Sequence, residues 1–318
     1  MRRNSRGRFL WVAGVAALLA VAAVAFLVIV RRERASSLRI SDYIQITHDG
    51  RGKVLVASDG NRLYFDGGGR LIQVSMVSIS GGPIAPVPIS LANPYLMDVS
   101  PDGTTLLVFS VTGNPPTAPL WSVRVLGGSV HHLTDCSDAV WSPDGSSVAY
   151  SMPDGGVYLI KSDGTDAHKL AQVGGVADEP AWSPDGGTIR FFLGGKSLWE
   201  ISSSGSNLHQ LLSDWHPSSR KCCGRWAPDG RFFFNSGHQI WALDGRRGLF
   251  RRAPTLPIQL TSGPVEWGTP IPSKDGKKIF ADGRTKRGEL VRFDSKSNRF
   301  QPFLWGSFRR LCVLFQRR

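Results

Sequence analysis

Aspartates that recur at even spacing are the first residues in this sequence that could do chemistry, as metal ligands or as acid–base groups. Five of them lie in repeated tetrapeptides that end in glycine: Asp102, Asp144, Asp185, Asp229 and Asp275. Because each occupies the same place in a turn, its carboxylate can hydrogen-bond the backbone just downstream. We therefore interpret these aspartates as structural groups rather than as catalytic or metal-binding ones.

The four cysteines could take part in redox or metal chemistry. They lie at positions 136, 222, 223 and 312, and no C-x-x-C spacing occurs, so a zinc site is not expected. Adjacent Cys222 and Cys223 are interpreted as small apolar residues entering a strand, with a redox or metal role as the alternative. Cys136 could also pair with one of them. The segment 163–166 lacks the later glutamate of a calcium loop and is interpreted as a hairpin turn.

No catalytic constellation is recognisable in the sequence. The seven histidines are scattered, and His131, His132, His168 and His209 fall at the start of the last strand of a repeat, an outer and solvated place. No G-x-S-x-G elbow occurs, and the glutamates offer no convincing facing pair of carboxylates for glycosidase chemistry. We predict that the protein is not an enzyme and assign no catalytic, cofactor-binding or metal-binding residue.

The formal net charge of +13 raises the question of nucleic-acid binding. The positive charge lies at the two ends: residues 1–39 contain eight arginines and one acidic residue, and residues 305–318 contain four arginines. The body, residues 40–304, has 26 Lys and Arg against 24 Asp and Glu. We therefore predict no direct nucleic-acid binding by the body.

One segment is long and apolar enough to cross a membrane. Residues 10–30 carry no charge, and as a helix they would span roughly 30 Å. Arginines flank the segment on both sides and no small-residue cleavage site follows, which favours an uncleaved anchor over a cleaved signal peptide. Because the flanking positive charge is nearly balanced, it does not by itself decide the orientation.

Internal repetition is the strongest signal in the sequence. A turn motif of the form Ser-Pro-Asp-Gly recurs at 57–60, 100–103, 142–145, 183–186, 227–230 and 273–276. The closing glycines are 43, 42, 41, 44 and 46 residues apart. A short β-rich run follows each motif, and a second run is centred on Ile72, Trp121, Tyr158, Trp199, Trp241 and Val291.

The physics of the motif predicts the fold. Proline fixes φ near −65° and glycine accepts positive φ, so the tetrapeptide joins two antiparallel strands. Four short strands per repeat form the blade of a β-propeller, in which ring closure covers strand edges that a single blade would expose. The recurring tryptophans are interpreted as inter-blade core. We predict an all-β protein with a six-bladed, or incomplete seven-bladed, β-propeller preceded by one transmembrane α-helix.

The repeat, with its later Leu-Trp or Val-Tyr pair, resembles the TolB-type WD-like propeller repeat over roughly residues 40–304. More narrowly, residues 222–234, 238–243, 248–264 and 272–294 are similar to the propeller region of acidobacterial membrane-anchored regulators. Those regulators place a cytoplasmic winged-helix DNA-binding domain before one transmembrane helix, with the propeller outside. No winged helix precedes the apolar segment here, so the resemblance implies no DNA binding, and it supplies neither a ligand nor catalytic residues.

The C-terminal residues 305–318 break the repeat. They are basic and match no strand or turn template, and the next motif glycine is due just beyond the last residue. We hypothesise a frameshift before this tail, with a lineage-specific tail as the alternative. In propellers with this strand order an N-terminal strand, here within Tyr43–Thr47, completes the final blade. In a six-bladed ring it would compete with residues 299–304 for the same edge.

These observations divide the chain into a cytoplasmic basic arm (1–9), a transmembrane helix (10–30), a linker (31–39), a propeller (40–304) and the basic tail (305–318). We expect a single-pass, non-catalytic scaffold of the inner membrane with a periplasmic propeller and no cofactor. It would bind a protein partner or a small ligand through loops such as 112–119 and 213–220. The alternatives are a remnant or split part of a transmembrane transcriptional regulator, and the propeller cap of a serine peptidase without its catalytic domain.

Overall fold

The structure is a computed structural model that describes residues 21, 24, 40, 42–67, 72–113, 116–215, 219–244, 256–285, 291–302 and 309–316. The chain divides into two compact units, residues 1–39 and residues 40–318. In the first unit Val21 and Val24 are helical and exposed, and the rest of the predicted transmembrane segment lies outside the described residues. Within the described part, no helix has the length and apolar character needed to span a bilayer.

The described residues of the second unit form strands and turns, with no helix. After β1 (Tyr43–Gln45), five repeats each fold into a four-stranded antiparallel sheet. Blade 1 contains β2 (Lys53–Ser58), β3 (Arg62–Gly67), β4 (Val74–Ser78) and β5 (Ala85–Pro86). Blade 2 contains β6 (Pro94–Val99), β7 (Thr105–Ser110), β8 (Ala118–Arg124) and β9 (Val130–Cys136). Blade 3 contains β10 (Asp138–Trp141), β11 (Ser147–Ser151), β12 (Gly156–Lys161) and β13 (His168–Gln172).

Blades 4 and 5 repeat the same order of strands. Blade 4 contains β14 (Ala177–Trp182), β15 (Thr188–Leu193), β16 (Ser197–Ser202) and β17 (His209–Leu211). Blade 5 contains β18 (Lys221–Trp226), β19 (Arg231–Ser236), β20 (Gln239–Asp244) and β21 (Ile258–Gln259). In every one of these five sheets the strands are hydrogen-bonded in sequence order.

Blade 6 is assembled differently, from β22 (Val265–Trp267), β23 (Ile271–Pro272), β24 (Lys278–Thr285) and β27 (Arg309–Gln316). The tail, in which the sequence predicted no strand, thus supplies the third strand. All eight residues of β24 pair with β27, from Lys278↔Gln316 to Thr285↔Arg309. The segment expected in that place forms a separate hairpin of β25 (Val291–Asp294) and β26 (Arg299–Pro302). A four-residue strand would leave half of the β24 backbone groups unpaired, which explains the preference for β27.

The N-terminal strand completes blade 6, as predicted. β1 pairs antiparallel with β27, from Tyr43↔Phe315 to Gln45↔Val313. Since β26 pairs with β25 alone, the expected competition for this edge does not arise. The first strand of blade 1, β2, contacts β23, β24 and β27 of blade 6, so the ring closes with six blades among the described residues.

The repeated motif forms the turn between the first and second strands of a blade. In blade 2 the Gly103 N–H donates to the Ser100 carbonyl at 2.8 Å, and Gly103 has φ of 70°. The Ser100 hydroxyl donates to Asp102 Oδ1 at 2.5 Å, and Asp102 Oδ1 accepts the Thr104 N–H at 3.1 Å. The same serine–aspartate bond occurs in the motifs that end at Gly145, Gly186 and Gly276. These four turn aspartates therefore make the local hydrogen bonds that the sequence predicted, and such bonds lower the pKa of Asp102.

Clusters of buried apolar side chains lie between neighbouring blades. Between blades 4 and 5, Phe192 packs with Phe232 and Phe234, and Trp226 and Trp241 lie against them. The Phe192 and Phe234 ring centroids are 6.1 Å apart, within the range of favourable aromatic pairs. The recurring tryptophans in this cluster are therefore inter-blade core, as predicted.

The motif glycines provide the first testable prediction. Gly145 has φ of 71°, a left-handed conformation that costs an L-residue about 1–2 kcal/mol, while a Cβ there would meet only Pro101 Cδ at 3.6 Å. We expect Gly145→Ala to lower the free energy of unfolding by about 1 kcal/mol, measured by chemical denaturation. Gly174→Ala is the matched control, because Gly174 lacks a left-handed φ and has no atom within 4 Å of an added Cβ. Equal midpoints for the two variants would contradict this account of the turn.

Candidate functional site

A cavity of about 200 Å³ lies where the inner strands of the six blades converge, and we call it the axial cavity. Its lining residues come from every blade: Val54, Leu55, Val56, Leu96, Met97, Asp138, Ala139, Val140, Glu179, Pro180, Cys223, Arg225 and Thr269. Apolar side chains dominate the list, but two carboxyl groups and one guanidinium are among them. Such a mixture of apolar walls and a few convergent polar groups is typical of a binding site.

Two carboxylates in this cavity tie neighbouring blades together. Asp138, Glu179 and Cys223 hold the same place in three successive repeats, five residues before the motif proline. Asp138 Oδ2 accepts the N–H of Glu179 at 2.7 Å, and Glu179 Oε2 accepts the N–H of Cys223. The β14–β15 and β18–β19 ladders shift register at Glu179 and Cys223, which have φ of 54° and 63°. Because of these bulges, the N–H groups of Glu179 and Cys223 do not pair within their own sheets. Each donates instead to a carboxylate of the preceding blade.

Asp98 and Arg225 add a third carboxylate and the facing cation. They share another place in the repeat, three residues before the motif proline, in blades 2 and 5 on opposite sides of the ring. Asp98 Oδ2 accepts the N–H of Trp141 at 2.9 Å. The Arg225 guanidinium donates to the carbonyl of Val56 at 3.2 Å and to that of Gly224 at 2.9 Å. Arg225 therefore links blade 5 to blade 1 and faces the carboxylates of blades 2, 3 and 4.

Burial dominates the electrostatics of these groups. It raises the pKa of Asp138 to about 7; the neighbouring Glu179 carboxyl adds to the rise, and Arg225 opposes it. Burial likewise raises the pKa of Glu179 and of Asp98, again with Arg225 acting in the opposite direction. The axial cavity thus contains one carboxyl group, that of Asp138, whose pKa lies near neutral pH, in a position where a ligand could bias its protonation.

The structure corrects the interpretation of the adjacent cysteines. Cys222 and Cys223 are bonded to each other as a disulfide, rather than acting as two small apolar residues. Both are half-buried, and their sulfurs and a carboxylate oxygen of Glu179 all lie within 4.8 Å of one another. The alternative pairing with Cys136 does not occur: Cys136 is buried with a free thiol, and burial raises its pKa.

A larger groove of about 1040 Å³ borders blade 1, lined in part by His48, Asp49, Lys53 and Pro83. Its most prominent charges are already satisfied, because the buried Lys53 ammonium contacts the Asp49 carboxylate and the Arg51 carbonyl. The groove is lined by residues of blade 1 and of the segment before it, whereas the axial cavity is lined by residues of all six blades. The axial cavity is therefore the stronger candidate for the site.

The other residues singled out in the sequence do not gather at this cavity. His131, His132 and His168 are exposed on the last strands of their blades and His209 is half-buried, close to the solvated placement expected. The segment 163–166 forms the predicted hairpin turn, in which Asp163 Oδ1 accepts the Thr165 N–H at 2.9 Å. The loops 112–119 and 213–220, expected to contact a ligand, lie only partly within the described residues.

The three axial carboxylates are the functional candidates that sequence reasoning missed. No pair was expected because Asp98, Asp138 and Glu179 lie about 40 residues apart along the chain. The signal that could have revealed them is their place in the repeat, since positions shared by successive blades meet at the axis. The position of Asp98 is held by Leu55, Val140, Ala181 and Ile271 in four other repeats, against which a charged residue stands out, whereas the position of Asp138 and Glu179 is held by Lys53, Leu96, Cys223 and Thr269.

Comparison with known proteins adds information on the fold. No protein-family model matches the chain, and no curated protein matches it by sequence. Among solved structures, TolB from Acinetobacter baumannii aligns with a TM-score of 0.55 and 13% identity, covering 81% of this chain. The aligned part spans 64% of that TolB chain, less than two thirds of its length.

Two further solved structures share the architecture. An oligogalacturonate lyase solved in complex with manganese aligns with a TM-score of 0.53 and 12% identity, covering 87% of this chain and 93% of that chain. Hydrazine synthase of Kuenenia stuttgartiensis aligns with a TM-score of 0.50 and 15% identity, covering 79% and 82%. At such low identities the likeness extends to the fold alone. The described residues of this chain therefore adopt a TolB-type, six-bladed β-propeller fold.

Proposed function

We propose that the protein is a membrane-anchored, non-catalytic recognition module whose propeller, on the periplasmic side, binds a segment of a protein partner at the axial cavity. The observation that carries the proposal is the convergence of Asp138, Glu179 and Arg225 on one cavity lined by all six blades. Propellers present such an axis as their common binding place because loops and inner strands from every blade meet there.

The size of the cavity favours a protein segment over a small-molecule ligand. Pockets for drug-sized ligands have volumes of about 300–1,000 Å³, whereas the axial cavity has about 200 Å³. That volume suits one side chain or one chain terminus, with the rest of the partner on the propeller surface. Because carboxyl groups outnumber cations there, a basic side chain or an amino terminus would complement the charge.

The anchoring part of the proposal rests on the sequence. The uncharged run at 10–30 has the length of a membrane-spanning helix, and arginines flank it on both sides. A propeller held next to a membrane would bind its partner at high effective concentration, so a modest interface would be sufficient.

The test uses a substitution that fills the axial cavity. Val54 lines the cavity and is 42% exposed, so a tryptophan there would occupy the space without disturbing the buried core. We expect Val54→Trp to lower recovery of the cross-linked partner from detergent-solubilised membranes at least tenfold relative to the unaltered full-length chain. The loss would follow from exclusion of the partner's side chain.

The matched control is Leu126→Trp, the same kind of change at a residue that is 87% exposed and does not line the cavity. It should recover the partner as well as the unaltered chain does. Equal recovery with Val54→Trp would contradict binding at the axis. Recovery of the protein without detergent would contradict the anchor, and hydrolase or lyase turnover by the pure protein would contradict the non-catalytic assignment.

A further inference from the structure

We propose that Cys222, Cys223 and Glu179 form a redox-gated binding site for a thiophilic divalent cation, of the class of Zn²⁺ and Cd²⁺, in the wall of the axial cavity. The disulfide seen in the structure is the closed form of this site, and the dithiol is the form that binds the cation. The proposal does not depend on which partner the propeller recognises.

The geometry brings three donors together. The two sulfurs and a Glu179 carboxylate oxygen lie within 4.8 Å of one another. Around a tetrahedral zinc ion with Zn–S bonds of about 2.3 Å, two sulfurs are separated by roughly 3.8 Å. The Glu179 carboxylate is already fixed beside the pair, because it accepts the N–H of Cys223. Reduction therefore has to separate only the two sulfurs to produce a three-donor site.

Access and charge also favour a cation. Cys223 and Glu179 line the axial cavity, and both cysteines are half-buried, so a small reductant and an ion can reach them.

The charge around the site is mainly negative. Asp138 and Asp178 lie close enough to Glu179 for mutual repulsion, and the arginines at 220 and 225 offset part of this negative charge. Two thiolates would add to the excess of negative charge, which a divalent cation would neutralise. Sulfur donors select thiophilic ions over Mg²⁺ and Ca²⁺.

The redox step balances with a dithiol as the reductant. One thiolate of the dithiol attacks a sulfur of the Cys222–Cys223 bond, and its second thiol then resolves the mixed disulfide. Two electrons pass to the protein, the S–S bond breaks, two thiols form, and the reductant ends as its own disulfide. Binding of the cation releases one proton from each thiol, so the affinity rises with pH.

The test measures Cd²⁺ binding by the full-length protein before and after reduction. The protein is reduced with a dithiol, desalted without oxygen and titrated with Cd²⁺, while ultraviolet absorption of the metal–thiolate bonds is recorded. We expect no binding by the oxidised protein and one Cd²⁺ per reduced chain. Absence of the absorption band in the reduced protein would overturn the proposal.

Matched variants assign the donors. Cys222→Ser and Cys223→Ser should each weaken Cd²⁺ binding at least a hundredfold, and Glu179→Gln about tenfold. Glutamine can still accept the Cys223 N–H, so this variant tests the carboxylate charge rather than the bulge. Cys136→Ala is the control and should bind within about twofold of the unaltered protein, because Cys136 is buried and is not one of the three donors that lie together. Unchanged binding by Glu179→Gln, or loss of binding by Cys136→Ala, would overturn the three-donor assignment.

A measurement on the unaltered protein keeps the test decisive if a variant fails to fold. The reduced protein is alkylated with and without Cd²⁺, and peptide mass spectrometry reports which cysteines are modified. Protection of both Cys222 and Cys223 by Cd²⁺ is the expected result. Modification of both cysteines at the same rate with and without Cd²⁺ would show that the pair does not hold the ion.

Discussion

Replacing Glu200 by glutamine is expected to lower the free energy of unfolding by about 3 kcal/mol. Glu200 and Arg190 face each other on β16 and β15, with Arg190 Nε 2.8 Å from Glu200 Oε2 and the two side chains 10% and 6% exposed. The Arg190 guanidinium also lies over the Trp226 ring of blade 5, 4.0 Å from its centroid. The change removes the negative charge that faces a buried cation at the interface between two blades. Removing one partner of a buried ion pair lowers stability strongly, because the remaining charge, here the Arg190 guanidinium, stays buried without its counter-charge.

Thermal unfolding followed by tryptophan fluorescence measures this effect. A loss of about 3 kcal/mol corresponds to a fall in Tm of roughly 6–12 °C for a domain of this size. The control is Asp166→Asn, which breaks the Lys161–Asp166 pair, where the side chains are 57% and 62% exposed. Exposed pairs contribute about 0–1 kcal/mol, so this control should unfold within a few degrees of the unaltered protein. If Glu200→Gln behaved like the control, the buried pair would not hold blades 4 and 5 together.

The strand–turn–strand units could be predicted because their physics is local. In a motif such as Ser142–Gly145 the proline restricts φ, the aspartate accepts the N–H of Ser146 two residues further on, and the glycine takes the positive φ. Repetition at about 43 residues then leaves few folds other than a ring of blades. The sequence therefore predicted six blades, with an incomplete seven-bladed ring as the alternative, and it predicted the strand that completes the last blade.

Blade 6 could not be predicted because the pairing there is not local. Residues 291–302 follow β24 directly and carry strand-forming residues, so sequence order favoured them as the third strand. In the structure β27, which begins 24 residues after the end of β24, takes that place with eight pairs. Which strand pairs with β24 depends on how many backbone N–H and C=O groups of β24 it can satisfy. That number is a property of the three-dimensional structure and is not visible in the local sequence.

The candidate site escaped prediction for a related reason. Asp138 and Glu179 are ordinary strand residues when each is seen in its own repeat. They form a pair because the ring of six blades brings equivalent inner positions to one axis. Burial there raises the pKa of both carboxyl groups. The disulfide between Cys222 and Cys223 was not predicted, and the bulge in β18 beside it has no signature in the sequence.

Replacing Arg225 by methionine should give the largest pH-dependent effect in the molecule, a loss of about 2–4 kcal/mol of unfolding free energy at pH 8. Arg225 is the cation that lowers the pKa of Asp98, Asp138 and Glu179 against the effect of burial. Methionine keeps most of the side-chain volume but removes the charge and the hydrogen bond to the Val56 carbonyl. At pH 8 the three carboxyl groups would then be either charged without a facing cation, with only their backbone N–H partners, or protonated at a cost.

The sign of the pH dependence follows from the raised pKa values. Between about pH 4, where an aspartate titrates in the unfolded chain, and pH 7, where Asp138 titrates in the folded protein, the native state holds a proton that the unfolded chain has released. Stability therefore falls as the pH rises through this window, and without Arg225 the window extends upward. At pH 5 Asp138 is already neutral in the folded protein, so the loss caused by Arg225→Met should be smaller there than at pH 8.

Urea unfolding at pH 5 and pH 8 separates this electrostatic effect from a simple loss of packing. A packing defect would cost the same free energy at both pH values, whereas loss of the axial cation costs more at the higher one. Arg124→Met provides the control, because Arg124 is exposed at the end of β8 and lies outside the axial cavity. We expect that variant to match the unaltered protein at both pH values. A pH-independent loss for Arg225→Met would mean that the axial carboxyl groups do not depend on this arginine for their charge.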